Sequence, residues 1–88
     1  MSADGQVVIY TMYNCVNCVQ AKQLLKTRGI PFKEVLVQDN DDMAWIELFE
    51  KSGMKTMPQI FNGEVLVGGY SELAALDKKD QLKSLLAA

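Results

Sequence analysis

Two cysteines, Cys15 and Cys18, are the residues of this 88-residue sequence best suited to chemistry, and only Val16 and Asn17 separate them. Such a pair can ligate a metal, form a structural disulfide, or work as a dithiol that exchanges electrons with other disulfides. The chain contains no histidine, which excludes Cys-His and Ser-His-Asp catalysis and imidazole metal ligands. Two thiolates do not complete a four-ligand zinc site unless carboxylates or a second chain contribute.

The pair lies at a predicted junction between a strand and a helix. Residues 6–10, QVVIY, form a short apolar run rich in β-branched side chains, which predicts a buried strand. Residues 15–28 contain good helix formers with Cys18 on the apolar face, and Gly29 ends the helix. Residues 32–38 predict a second strand, so this part of the chain is a βαβ unit with parallel strands and a right-handed crossover.

The middle of the chain predicts a second helix and a hairpin. Residues 40–42, Asn-Asp-Asp, offer N-caps for a helix that ends at Gly53. Asn62-Gly63 lies between the apolar runs 59–61 and 64–68, a pattern that predicts a tight β-hairpin. The large side chains assigned to the core are Phe32, Trp45, Leu48, Phe49 and Phe61.

A third helix is predicted near the end of the sequence. Ser71 is the predicted cap of a helix over residues 72–77, and a last helical turn or two carries Leu82, Leu85 and Leu86. The order β-α-β-α-β-β-α, without an internal repeat or a linker, predicts a single α/β domain over residues 1–88.

Composition narrows the class of protein. With 49% hydrophobic and 23% charged residues, the chain is typical of a soluble globular protein. No apolar run reaches the roughly 18 residues that cross a membrane, and the opening MSADGQ lacks the features of a secretory signal. We therefore expect a cytoplasmic monomer with no membrane association. A net charge of −2 argues against binding of nucleic acid.

The position of the cysteines favours the redox interpretation. Free N–H groups and the positive end of the helix dipole stabilise a thiolate, and they lower a thiol pKa from about 8.5 toward neutrality. Cys15, at the helix start, is therefore the predicted nucleophile. Cys18, one turn further on, is predicted to be more buried and to act as the resolving cysteine. The alternatives are two unrelated core cysteines and a structural disulfide, and the latter is disfavoured because cytoplasmic thiols are kept reduced and the loop between the cysteines is very short.

The same residues carry a resemblance to a known family. The segment VVIYTMYNCVNCVQAKQLLKTRGIPF looks like the first strand, active-site helix and second strand of glutaredoxins, and KTMPQIFNGEVLVGGYSEL is similar to their proline loop, hairpin and Gly-Gly turn. The resemblance implies a thioredoxin fold, with a four-stranded mixed sheet flanked by helices. It also implies a dithiol–disulfide oxidoreductase that reduces protein disulfides or glutathione mixed disulfides. Val16 and Met57 look most like the small glutaredoxin-type proteins of tailed bacteriophages, which donate electrons to ribonucleotide reductase.

The resemblance also implies a site for glutathione, which enters as a co-substrate; no tightly bound cofactor or metal is expected. Pro58 is expected to be a cis proline beside the nucleophile, with the main chain of Met57 hydrogen-bonding glutathione. Gly69, Ser71 and Glu72 fall on the positions that hold the γ-glutamyl end of glutathione at a helix N-terminus. The alternative for this last segment is a plain strand-to-helix turn that needs no ligand.

Some residues depart from the family pattern. Val16-Asn17 replaces the common Pro-Tyr pair, and Met12 stands where glutaredoxins often carry Lys or Arg. These changes remove a charge partner for the glycine carboxylate of glutathione. Lys55 or Tyr13 is expected to compensate through a charge or a hydrogen bond. The alternatives are a solvated lysine and a tyrosine that contacts a partner protein.

Two other functions stay open at this point. In the first, thioredoxin reductase supplies the electrons to a glutaredoxin-like body, which Met12 and Asn17 favour. In the second, two chains share an iron–sulfur cluster through Cys15 and two glutathiones, which the absence of a proline at Val16 permits.

Overall fold

Four strands and three helices follow one another in the order β-α-β-α-β-β-α along residues 7–63 and 65–79, the part of the chain that the computed structural model describes. The strands are β1 (Val7–Thr11), β2 (Phe32–Leu36), β3 (Gln59–Asn62) and β4 (Val65–Gly68). The helices are α1 (Val16–Thr27), α2 (Asp42–Ser52) and α3 (Tyr70–Lys78). The predicted order of elements is confirmed. The helical turn predicted around Leu82, Leu85 and Leu86 lies outside the described residues.

The four strands form one mixed sheet in the order β2-β1-β3-β4. β1 and β2 run parallel, with Val7 opposite Phe32 and Thr11 opposite Leu36, and β3 is antiparallel to both β1 and β4. Because β1 and β2 are parallel, the chain crosses over between them through α1. The start of α1 therefore lies at the carboxyl end of β1, where the two cysteines are. The mixed four-stranded sheet flanked by helices is the architecture that the resemblance implied.

Two clusters of buried side chains hold the helices to the sheet. The first joins β1 and β3 to α1 and α3, and its members are Val7, Ile9, Ala21, Leu25, Ile30, Ile60 and Leu73. The second joins β3 to α2, and its members are Cys18, Val37, Leu48, Met57 and Phe61. Cys18 and Met57 thus belong to the core and also lie at the disulfide. Packing of the core therefore determines the position of the disulfide.

The prediction that Phe49 belongs to the core was wrong, since this residue is 43% exposed. Successive residues of a helix are rotated by about 100°, so burying Leu48 against the sheet turns Phe49 outward. Leu48 and Phe61 are buried as predicted. Trp45 and Phe32 are half-buried and pack against the edges of the two clusters.

Charged pairs fasten α1 on two sides. Arg28 at its C-terminal end donates from Nε and Nη2 to the two carboxylate oxygens of Asp77 on α3, at 2.7 and 3.1 Å. Lys22 Nζ lies 3.0 Å from Glu34 Oε2 on β2. The helix that begins with the disulfide is therefore tied to α3 on one side and to the sheet edge on the other. Among the described residues, no helix has the length and apolar character to span a membrane.

Candidate active site

A disulfide joins Cys15 to Cys18 at the N-terminus of α1. Cys15 is the N-cap residue, in an extended conformation with φ −115° and ψ 102°. Its Sγ accepts a hydrogen bond from the Cys18 backbone N–H at 3.1 Å. Sulfur here takes the place that a serine or aspartate oxygen usually has at an N-cap, in the positive field of the helix terminus. A thiolate at Cys15 would therefore find an N–H donor already in position.

The two sulfurs differ in their access to solvent. Cys18 is 2% exposed and is a member of the second core cluster, whereas Cys15 is half-buried and packs against the edge of that cluster. This is the difference that the helical pattern predicted. An incoming disulfide can reach Cys15, while the body of the protein covers Cys18.

The Met57–Pro58 peptide bond lies beside the disulfide and is cis, as the resemblance implied. The Met57 carbonyl oxygen is 3.7 Å from the Cys15 Sγ. Met57 is 5% exposed and packs in the second core cluster. Because the Met57 side chain is packed in the core, the position of its main chain relative to the Cys15 sulfur is fixed.

Gln59 supports this loop, a role that the sequence did not reveal. Its side chain is fully buried, and Nε2 donates to the carbonyl oxygens of Met54 and Thr56 at 3.1 and 3.2 Å. Its Oε1 is buried without a hydrogen-bond partner. A buried acceptor without a hydrogen-bond partner costs free energy. Gln59 therefore makes its two donated hydrogen bonds at the cost of leaving its Oε1 unpaired. The signal in the sequence is a polar residue directly before the apolar pair Ile60-Phe61 of β3.

The N-terminus of α3 is built by a glutamate. The predicted cap, Ser71, is wrong: Gly69 is the N-cap, and Ser71 lies exposed within the first turn. The Gly69 N–H donates to Glu72 Oε1 at 2.8 Å. Gly68 has φ 127°, and a Cβ added there would stand 2.6 Å from the Glu72 Cγ. The chain turns tightly at Gly68 and Gly69, and the carboxylate of Glu72 accepts a hydrogen bond that closes this turn. The helix therefore begins before Ser71, which is why Ser71 is not the cap.

Tyr13 and Lys55, the two residues expected to compensate for the missing cation, have different surroundings. Tyr13 is 59% exposed and lines the groove at the disulfide. The Lys55 Nζ lies 5.4 Å from the centroid of the Phe49 ring on α2, an arrangement typical of a cation–π contact. Lys55 does not line the groove. The structure therefore brings Tyr13, but not the Lys55 ammonium, to the groove that contains the disulfide.

This groove is an open cavity of about 590 Å³ between the start of α1 and the carboxyl ends of β1 and β2. Its lining comprises Thr11, Met12, Tyr13, Asn14, Cys15, Val16, Cys18, Val19, Lys22, Glu34 and Leu36. Both cysteines take part in the lining, so the groove gives direct access to the disulfide. We call it the disulfide groove below.

One end of the disulfide groove carries a small polar network. Glu34 Oε2 accepts hydrogen bonds from the Thr11 hydroxyl at 2.7 Å and from the Lys22 ammonium at 3.0 Å. The Thr11 bond above all, together with Lys22 and the charge of Lys26, lowers the pKa of Glu34 below its ordinary value of 4.5, against the opposing effect of partial burial. Glu34 is therefore a carboxylate at neutral pH, and its charge is balanced locally by Lys22.

Comparisons with known proteins agree with this geometry. The glutaredoxin family model matches residues 7–67. The glutaredoxin of Pseudomonas aeruginosa is 43% identical over 93% of this chain and 96% of its own length. Glutaredoxin 3 of Escherichia coli K12 is 39% identical over 93% of this chain and 98% of its own length. The solution structure of the Brucella melitensis glutaredoxin is 42% identical, with a TM-score of 0.80 over 92% of this chain and 87% of that one. The chain therefore belongs to the glutaredoxin family, and it is a thiol–disulfide oxidoreductase with Cys15 and Cys18 as its redox-active pair.

Proposed function

We propose that this protein reduces protein disulfides and glutathione mixed disulfides, with Cys15 as the attacking and Cys18 as the resolving cysteine. The observation that carries the proposal is the 3.1 Å hydrogen bond from the Cys18 N–H to the Cys15 Sγ at the start of α1. It supplies a donor for the charge of a thiolate at the more exposed sulfur, and a thiolate is the form of cysteine that attacks disulfides.

The proposed reaction transfers two electrons from the Cys15–Cys18 dithiol to the substrate disulfide. The Cys15 thiolate attacks one sulfur of a substrate disulfide, forms a mixed disulfide and releases the other sulfur as a thiolate that takes up a proton. The Cys18 thiolate then attacks the Cys15 sulfur, which releases the second substrate thiol and closes the Cys15–Cys18 disulfide. Two glutathione molecules return the pair to the dithiol, and they leave as oxidised glutathione. Glutathione is a substrate throughout the family, which supports this choice of donor.

The proposed glutathione site lies between the Met57 loop and the start of α3. The main chain of Met57, held by cis Pro58, would pair with the peptide-like part of glutathione. At α3, the Glu72 carboxylate is engaged by the Gly69 N–H. Its role in the proposal is to shape the turn, and the exposed Ser71, whose first-turn N–H has no partner within the helix, would receive the γ-glutamyl carboxylate.

Two further residues have a place in this proposal. The exposed Tyr13 ring borders the disulfide groove and would contact the partner bound at Cys15. The Lys55 ammonium would have to leave its position 5.4 Å from the Phe49 ring before it could pair with the glycine carboxylate of glutathione. Replacing Lys55 by Met would show whether it does so, through a rise in the KM for glutathione.

The electron donor is tested by following NADPH consumption with bis(2-hydroxyethyl) disulfide as substrate. One reaction contains glutathione and glutathione reductase, and the other contains thioredoxin reductase alone. We expect turnover in the first. Turnover only in the second would replace glutathione by thioredoxin reductase as the donor. A brown protein with visible absorbance after anaerobic purification would favour the shared iron–sulfur cluster instead.

The roles of the cysteines are tested with two serine variants. Cys15→Ser should lose the reduction of every disulfide, because it lacks the attacking sulfur. Cys18→Ser should keep the reduction of glutathione mixed disulfides, which a second glutathione can complete without a resolving cysteine. Full activity of Cys15→Ser would overturn the assignment.

The protein substrate and the compartment rest on the resemblance and the composition. We propose ribonucleotide reductase as a protein substrate and the cytoplasm, where thiols stay reduced, as the place of reaction. Reduction of oxidised ribonucleotide reductase by the protein with glutathione, measured as recovered reductase activity, tests the first of these.

A further inference from the structure

The disulfide groove lies on the side of Cys15 away from the proposed glutathione site. The sheet order β2-β1-β3-β4 places β2 on one side of β1, and the strands that lead to Met57 and α3 on the other. The lining of the groove comes from the end of β1, the loop after it, α1 and β2. It includes neither Met57 nor Ser71. The reactive sulfur therefore borders two separate surfaces, and apart from the contact with Tyr13 the proposed function uses only one of them.

The walls of the groove are apolar and exposed. Tyr13, Val16, Val19 and Leu36 are 59%, 71%, 56% and 43% exposed, although each is a side chain that proteins usually cover. Val16 and Val19 are three residues apart on α1, so they share one face of the helix. Leu36 is the last residue of β2 and belongs to the same groove. An apolar surface of this kind, continuous with a reactive sulfur, is suited to contact with a partner.

The far end of the groove does not favour a charged ligand. The Lys22 ammonium and the Glu34 carboxylate are 3.0 Å apart, so they balance each other, and the Thr11 hydroxyl occupies the same carboxylate oxygen. A charged side chain would therefore meet both signs of charge there and gain little net attraction. The groove thus offers apolar walls with a neutral polar end, which fits an uncharged chain segment.

The mixed disulfide formed at Cys15 identifies this segment as the chain around the substrate cysteine. In a mixed disulfide the two cysteine Cα atoms lie about 5.5 Å apart, so the residues beside the substrate cysteine must touch the surface around Cys15. The seven helical steps from Cys15 to Lys22 extend over about 10 Å, which is the length of about three residues of extended chain.

We propose that the disulfide groove binds the polypeptide of a protein disulfide substrate in extended form, with an apolar residue beside the substrate cysteine packed between Val19 and Leu36. This rests on the proposed function, since it requires the mixed disulfide at Cys15. It gives the enzyme a preference among protein disulfides that is independent of its contacts with glutathione.

The test compares two peptide disulfides with a small disulfide. One peptide has Leu and Val on either side of its cysteine, the other has Ser at both positions, and bis(2-hydroxyethyl) disulfide provides the reference. All are assayed with glutathione, glutathione reductase and NADPH. We expect the wild-type protein to have about a tenfold higher kcat/KM for the apolar peptide than for the serine peptide. Equal values for the two peptides would overturn the proposal.

Two variants locate the preference on the protein. Val19→Ser and Leu36→Ser should each lower, by about five- to tenfold, the ratio of kcat/KM for the apolar peptide to that for the small disulfide. Val65→Ser, at a 68% exposed position on β4 outside the groove, is the matched control and should leave this ratio as in the wild type. A ratio that does not change in either groove variant would contradict the proposal. Absence of turnover with the small disulfide in the wild-type protein would instead mean that the proposed function has failed.

Discussion

Replacing Gly68 by Ala should destabilise the turn before α3 and weaken the proposed glutathione site. Gly68 has φ 127°, a conformation that L-residues with a side chain rarely adopt. A Cβ there would lie 2.6 Å from the Glu72 Cγ and 2.7 Å from its Cβ. The Cβ of Glu72 cannot move without its backbone, so the first turn of α3 would have to shift.

Gly53 is a control that separates the cost of backbone strain from the cost of the steric contact. Gly53 also has a positive φ, 73°, but a Cβ there would meet nothing within 4 Å. Gly53→Ala should therefore cost about 1 kcal/mol, the penalty of a left-handed conformation. Gly68→Ala adds the steric shift, for which overpacked sites suggest about 1–3 kcal/mol, on backbone strain of about 1–3 kcal/mol. We expect a total loss of about 2–6 kcal/mol, the sum of these two contributions.

Urea denaturation of the two variants and the wild-type protein measures these losses as free energies of unfolding. The glutathione-coupled assay then gives the KM for glutathione, which should rise in Gly68→Ala and stay near the wild-type value in Gly53→Ala. If Gly68→Ala were no less stable than Gly53→Ala, the close contact with Glu72 would not constrain the turn, and the argument for a rigid site would fail.

Three further substitutions test other parts of the structure. Because the pKa of Glu34 is lower in the folded protein than its ordinary value of 4.5, its carboxylate stabilises the fold above that pH, and this contribution is lost as the pH falls through the folded-state pKa. Glu34→Gln should therefore lower the thermal midpoint at pH 7 but not in strong acid; a difference independent of pH would contradict this. Gln59→Leu should lower the free energy of unfolding in urea by about 2 kcal/mol, since the partly buried carbonyls of Met54 and Thr56 lose their donor, and should raise the KM for glutathione; an unchanged KM would show that this loop does not bind glutathione. Asp41→Ala should cost about 1 kcal/mol through the lost cap of α2, with Asp39→Ala as the control, and equal costs would refute the cap.

Much of the fold was predictable because its signals are local. The β-branched run before the cysteines, the helix formers after them and the Asn62-Gly63 turn each depend on neighbouring residues, and the structure places strands and a helix there. Asp41 was among the predicted caps of α2, and its carboxylate accepts the Ala44 N–H at 3.2 Å. Where a short stretch satisfies its own backbone or presents a regular apolar face, the sequence is enough to identify the element.

The failures concern residues whose surroundings come from elsewhere in the chain. Phe49 looked like a core residue until the orientation of α2 on the sheet was known. Ser71 looked like a cap, but Glu72 closes the turn at Gly69. In both cases, the sequence pattern allowed more than one arrangement, and packing selected one of them.

The sequence by itself determined the chemistry of this protein: a pair of cysteines at the start of a helix, in a chain without histidine, points to disulfide exchange. Only the tertiary structure decided how that chemistry meets its partners. It left Cys15 half-buried and placed Cys18 in the core, brought the Met57 carbonyl oxygen to 3.7 Å from the Cys15 sulfur, and opened a groove against β2 on the other side. The physical reason is that the reactivity of a cysteine depends on its side chain and on the helix terminus beside it, and both are local. Access to its sulfur depends on segments more than 20 residues apart in sequence, which meet only when the sheet forms.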